Sequence, residues 1–142
     1  MNDNHGSVPL IATYDALHFI FSFYDFRLTT DDFNNFSMST IAKIEKHYDE
    51  VSKHFGFKYN MPEMMANNLG YLAMSQKKMK EAEYLFKTNV TNYPTSFNVY
   101  DSLGDFYAAD NDKEKAIENY KKALSIHEFD DTRKKLNALL AK

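Results

Sequence analysis

The chain has 142 residues, of which 26% are charged, and its formal net charge is −3, as expected for one soluble globular domain. It has no cysteine, which excludes a disulfide framework and thiol chemistry, and its weak negative charge gives no general attraction to nucleic-acid phosphates. Because glycine (4) and proline (3) are scarce, turns are few, and we predict an all-α fold of helices joined by short loops. We expect no cofactor, and the sequence leaves the compartment open between cytoplasm and periplasm.

The first predicted element is an apolar helix within residues 10–26. Asp15 and His18 interrupt this segment, so it is too short and too polar to span a bilayer. Apolar or aromatic side chains occupy nearly all sides of the helix. They are Leu10, Ile11, Tyr14, Leu17, Phe19, Ile20, Phe21, Phe23, Tyr24 and Phe26. Such a helix requires burial on several sides, so we expect it to pack on the next long helix and to form a homodimer through residues 10–26.

Residues 28–38 are predicted to be a linker, and an amphipathic helix is predicted to follow over 39–55. Ile41, Ile44 and Val51 recur in that helix at helical spacing. Gly56 comes directly after it and suits the left-handed position that ends many helices, with Phe57 as the hydrophobic residue beyond.

The same helix carries His47, Glu50 and His54 at spacings of three and four residues. A metal site is one interpretation of this stripe, but the H-E-x-x-H pattern is absent and the stripe borders the apolar face. We therefore favour a solvent-facing flank and predict no metal site.

Two stretches of the chain, 68–86 and 102–120, are alike at a spacing of 34 residues. The matching pairs are Leu69 and Leu103, Gly70 and Gly104, Ala82 and Ala116, and Phe86 and Tyr120. This period and pattern resemble the tetratricopeptide repeat (TPR), a helix–turn–helix unit. The glycine and alanine allow two helices to approach closely, and the aromatic ring fills the space between them.

The predicted TPR domain covers 39–142. Its repeats are 63–96 and 97–130, with helices over 62–75, 78–92, 96–109 and 112–126. The repeats depart from the family pattern at a few positions. These are Ala66, Ala73, Asn89 and Glu128. A capping helix is predicted over 131–142, with Leu136, Leu139 and Leu140 on one side.

The N-terminal stretch "NHGSVPLIATYDALHFIF" (4–21) resembles the end of α/β-hydrolases of the enterochelin and ferri-bacillibactin esterase group. The stretches "NVYDSLGDFY" (98–107) and "AIENYKKAL" (116–124) resemble the TPR-bearing tail of some bacterial members. The resemblance implies that residues 1–27 are the terminal histidine loop and last helix of a hydrolase domain. It also implies that His5 is the general base of a Ser-His-Asp triad.

The chain by itself is predicted not to be an enzyme. A nucleophile elbow has the pattern G-x-S-x-G, with two glycines four residues apart. The four glycines are Gly6, Gly56, Gly70 and Gly104, and no two of them have that spacing. His5 is therefore expected to be a triad residue without its partners in this chain.

TPR arrays bind partners on a face lined by the first helix of each repeat. By repeat position, the candidate binding residues are Met64, Asn67, Tyr71, Met74, Asn98, Asp101, Asp105 and Ala108. This set contains no lysine or arginine and carries Asp101 and Asp105, so we expect its partner to be a basic or apolar protein segment, or the parent hydrolase domain. We expect neither nucleic acid nor membrane as a partner.

Three functional hypotheses follow from the sequence. The first is a TPR interaction module attached to a parent serine esterase, and the second is an essential part of that esterase's active site with His5 as general base. The third is a free-standing dimeric TPR adaptor. The first two differ in whether a serine nucleophile lies upstream in the same polypeptide.

Overall fold

The computed structural model describes residues 8–20 and 22–141, and every regular element in these ranges is helical. The elements are α1 (Val8–Ile20), a 3-10 turn (Ser22–Tyr24), α2 (Thr30–Asn34), α3 (Met38–Phe55), α4 (Glu63–Ser75), α5 (Met79–Asn92), α6 (Phe97–Ala109), α7 (Lys113–Ile126) and α8 (Asp130–Leu140). The predicted all-α class is confirmed. The four predicted repeat helices correspond to α4, α5, α6 and α7, and each predicted start lies one residue before the observed one.

The two helices of each repeat pack through a contact between a glycine and an aromatic ring. A Cβ atom placed on Gly70 would lie 2.7 Å from the ring of Phe86, and one on Gly104 would lie 2.6 Å from the ring of Tyr120. Both rings are buried. The close approach predicted from the repeat pattern is thus confirmed, and only glycine at these positions leaves room for the ring.

The turn between the two helices of a repeat also recurs at a spacing of 34 residues. Lys77 has a φ of 59° and Asn111 a φ of 63°, so both lie in the left-handed region. The residue after each donates a 2.9 Å backbone hydrogen bond to the first helix: Lys78 to the carbonyl of Ala73, and Asp112 to that of Tyr107. The two repeats therefore share one backbone design.

The segment predicted to be a linker contains α2 and packs on the rest of the protein. Thr29 and Asp32 form a capping box at the start of α2. Phe36 has no exposed surface, and its carbonyl accepts a hydrogen bond from the Lys78 ammonium in the turn of the first repeat. Burial of this ring attaches residues 28–38 to the core, because a fully buried phenylalanine stabilises the folded state by about 1.5–3 kcal/mol relative to an exposed one.

Helix α3 agrees with its prediction. Ile41, Ile44 and Val51 have no exposed surface. Gly56 ends the helix with a φ of 73° and donates its backbone N–H to the Ser52 carbonyl at 2.9 Å. Phe57, just beyond, stacks on Phe55 with ring centroids 5.5 Å apart.

The expectation that the N-terminal helix packs on α3 is wrong for α1. All its described side chains, residues 11–18, are exposed, including Ile11 at 55% and Leu17 at 51%. The apolar face of α3 is buried in the core, so it offers no surface to α1. The N-terminal segment contacts α3 through Phe23, which lies beyond the end of α1 and stacks on His54. No helix within residues 8–20 or 22–141 is long and apolar enough to cross a membrane.

We predict that Gly70→Ala lowers the free energy of unfolding by about 1–3 kcal/mol, because the added methyl group meets the Phe86 ring at 2.7 Å. Urea denaturation measures this change. In the Gly70→Ala/Phe86→Leu double variant the ring is replaced by a smaller side chain. The loss in unfolding free energy is then expected to be less than the sum of the losses in the two single variants. An unfolding midpoint of Gly70→Ala equal to that of the unchanged protein would contradict this packing.

Candidate protein-interaction face

The candidate binding residues lie on one surface formed by α4, α6 and α8, which we call the first-helix face. It consists of Met64, Asn67, Tyr71 and Met74 on α4, Asn98, Asp101, Asp105 and Ala108 on α6, and Thr132 and Lys135 on α8. Hydrogen bonds connect its helices at the repeat spacing. Tyr71 donates its hydroxyl to Asp105, 34 residues later, at 2.7 Å.

Helix α8 continues this register. The ammonium of Lys135 lies 2.8 Å from Asp101, which precedes it by 34 residues, and 2.8 Å from the Asp105 carboxylate. Thr132 donates its hydroxyl to Asp101 at 2.7 Å. Helix α8 thus occupies the place that the first helix of a third repeat would take, and it closes the α6 side of the first-helix face.

The prediction that this face carries no lysine and leaves Asp101 and Asp105 for a partner is wrong. Asp101 accepts hydrogen bonds from Lys135 and Thr132. Asp105 accepts hydrogen bonds from Lys135, Tyr71 and Tyr120, the last at 2.7 Å. The sequence prediction applied the 34-residue period to the two full repeats only, and adding 34 to Asp101 would have found Lys135.

Burial keeps the two tyrosines on this part of the face neutral, and the neighbouring carboxylates keep its lysine protonated. Burial, together with the Asp105 carboxylate, raises the pKa of the Tyr71 and Tyr120 hydroxyls, so both remain donors. Burial opposes the charge of Lys135, but its hydrogen bonds to Asp101 and Asp105 outweigh burial and raise its pKa above 10.5. Its stabilisation is therefore complete below pH 10.5 and is lost only as the pH rises through the higher folded-state value.

At the start of α4, a carboxylate joins the two repeats. Oε1 of Glu63 accepts hydrogen bonds from Ser96 Oγ and from Asn98 Nδ2, each at 3.0 Å. Asn98, one of the candidate binding residues, therefore holds α6 against α4.

The remaining part of the first-helix face is uncharged and more available. Met64 is 73% exposed. Asn67 is half-buried, and its Oδ1 is buried with no hydrogen-bond donor among the described residues. Met74 and Ala108 are half-buried and pack against the core. This region offers a polarizable apolar surface of the kind that adapts to different partners.

The sequence also offered His5 for catalysis and the histidine stripe of α3 for metal binding. His5 lies outside the described residues. Within the described part of the chain, no group of three or more His, Cys, Asp and Glu side chains is placed to hold a metal ion. His47 stacks on Phe26 with centroids 4.5 Å apart, and His54 stacks on Phe23 at 4.4 Å.

Residues 97–128 match the family described as Tetratricopeptide repeat. This stretch contains α6, α7 and the turn between them, and it lies within the predicted second repeat. Comparison with curated proteins and with solved structures found no match to the chain. The chain thus carries a tetratricopeptide repeat over α6 and α7, and α4 and α5 repeat its glycine–aromatic contact and its turn.

We predict that Lys135→Met lowers the free energy of unfolding by about 1–2 kcal/mol, because two carboxylates lose a charged donor that is still partly exposed to water. Lys134→Met is the matched control, since Lys134 pairs with Asp131 on the exposed side of the same helix and its loss is expected to change stability by less than about 0.5 kcal/mol. Chemical denaturation compares the two. Equal effects would show that Lys135 does not hold α8 on α6.

Proposed function

We propose that this chain is a protein–protein interaction module that binds its partner through the α4 part of the first-helix face, around Met64 and Asn67. The observation that carries this proposal is the contrast along that face. Asp101 and Asp105 are satisfied by Lys135 of the same chain, whereas Met64 is 73% exposed. Helical repeat proteins use such first-helix surfaces to bind partners.

The partner that fits this surface is a protein segment with an apolar helical face. A basic segment would have to displace Lys135 from both carboxylates before it could bind them. Around Met64, by contrast, an apolar helix can pack on the methionine side chain and the Asn67 amide without leaving a charge unpaired. We therefore favour the apolar partner over the basic one.

NMR titration with two model peptides tests this choice. One is an uncharged amphipathic helix of leucine, alanine and glutamine, and in the other lysine replaces the glutamine. We expect the uncharged peptide to shift the signals of Met64 and Asn67, and Met64→Glu to weaken its binding at least about tenfold.

The control for this titration is Met38→Glu, which places the same charge at a methionine on α3 that is 44% exposed. It is expected to bind the uncharged peptide as the unchanged protein does. Equal binding by Met64→Glu, or a preference for the lysine peptide with shifts at Asp101, would contradict the proposal.

The fusion to a parent esterase is a second proposal, and it rests on the resemblance of residues 4–21. The exposure of Ile11, Tyr14 and Leu17 supports it, since the last helix of a hydrolase domain would expose an apolar face when its domain is missing. In that case His5 would serve as general base in the parent. A reading frame upstream of the Met1 codon that encodes G-x-S-x-G after an apolar strand would support this origin, and a stop codon there would contradict it.

The free-standing adaptor predicts that α1 pairs with α1 of a second copy. Burying the exposed apolar surfaces of Ile11 and Leu17 would then hold a dimer together. Sedimentation equilibrium is expected to show a dimer that the Ile11→Ser/Leu17→Ser variant converts to monomer. A monomer at all concentrations in the unchanged protein would refute pairing through residues 10–26.

A further inference from the structure

A groove between α3 and α5 lies away from the first-helix face. Its volume is about 290 Å³, and its walls come from α3, residues 58–61 and α5. Among the described residues, none from α4, α6 or α8 lines it. Any ligand of this groove is therefore independent of the function proposed for the first-helix face.

Hydrogen bonds hold the groove in shape. Ser52 Oγ on α3 donates to the Tyr48 carbonyl at 2.7 Å and accepts from the Tyr59 backbone N–H at 2.8 Å. The second of these bonds holds the loop of residues 58–61 on α3. Tyr93 donates its hydroxyl to the Met61 carbonyl at 2.9 Å, which fixes the other end of the loop to α5. Because the protein makes these contacts within its own chain, the groove is preorganised and little conformational entropy is lost when a ligand binds.

Three polar side chains of this groove have no hydrogen-bond partner within the described part of the protein. Asp49 on α3, Asn60 in the loop and Asn92 on α5 make no side-chain hydrogen bond and no ion pair with any described residue. Glu45, one turn before Asp49, accepts a single hydrogen bond, from Tyr84 at 2.6 Å. This differs from the first-helix face, where the protein satisfies the carboxylates internally.

The chemistry of these groups selects a ligand class. A carboxamide both donates and accepts hydrogen bonds, as a peptide backbone does, so Asn60 and Asn92 match an extended peptide. Glu45 and Asp49 match a cationic side chain. Lys58, at the loop end, repels a second positive charge close to the first. The small volume suits a few residues and excludes a folded domain.

We propose that the groove between α3 and α5 binds a short extended peptide segment with a single lysine or arginine. Asn60 and Asn92 bind its backbone, and Asp49 and Glu45 bind its cationic group. The rings of Tyr48 and Tyr59 cover the aliphatic part of that side chain. The chain then has two separate recognition surfaces, one apolar on α4 and one polar between α3 and α5.

NMR titration with the blocked tripeptide Ac-Ala-Arg-Ala-NH2 tests this site. We expect saturable shifts of the Asn60 and Asn92 side-chain amides and of residues 45–52. Asp49→Asn and Asn92→Ala are expected to weaken binding at least about tenfold, as is replacing arginine by glutamine in the peptide. A free guanidinium ion without a backbone is expected to bind at least about tenfold more weakly than the tripeptide.

The matched control is Asp110→Asn, which removes the same charge from an exposed turn residue and is expected to leave binding unchanged. Asp49→Asn and Asn92→Ala are expected to keep the unfolding midpoint of the unchanged protein, because neither side chain has a hydrogen-bond partner in the structure. The proposal is overturned if no shift saturates up to about 10 mM peptide, or if the shifts occur at Asp101 and Asp105 instead. Equal binding by the guanidinium ion would overturn the peptide assignment.

Discussion

The contact of an aromatic ring with a glycine backbone determines most of this structure. The rings of Phe86 and Tyr120 lie on Gly70 and Gly104, and this sets the spacing of the two helices in each repeat. The second contact also reaches the candidate site. Because the Tyr120 ring lies on α6, its hydroxyl donates to Asp105, so the same residue packs the repeat and orients a carboxylate of the first-helix face.

The two repeats differ at the ring that contacts the glycine, and the first-helix face differs with it. Phe86 has no hydroxyl to donate, and the residue of α4 that corresponds to Asp105 is Tyr71, which is not an acid. The α4 end of the face carries the exposed Met64. Around α6 the two carboxylates are enclosed by tyrosine, threonine and lysine side chains. A face that begins apolar and ends in an internally satisfied charge network favours binding at its α4 end.

Local features were predictable from the sequence. The glycine–aromatic spacing gave the repeat helices, and Gly56 gave the end of α3, because each depends on residues close in sequence or at one fixed period. Lys135 was missed because α8 keeps the 34-residue register of the first helices but not their glycine. Packing of residues 28–38 depends on Phe36 meeting the Lys78 turn, a tertiary contact with no periodic signal. The exposure of α1 likewise depends on which surfaces remain free once α3 is covered.

We expect the glycine–aromatic contacts and the Asp101–Lys135 contact to join both repeats and α8 into one cooperative unit. Native-state hydrogen exchange measures this cooperativity, because it gives an opening free energy for each amide. The slowest amides of α4, α5, α6, α7 and α8 are all expected to share the free energy of global unfolding. Slow amides of α8 that open at a much lower free energy than those of α6 and α7 would contradict this expectation, because α8 would then not be held by the acidic residues of the first-helix face.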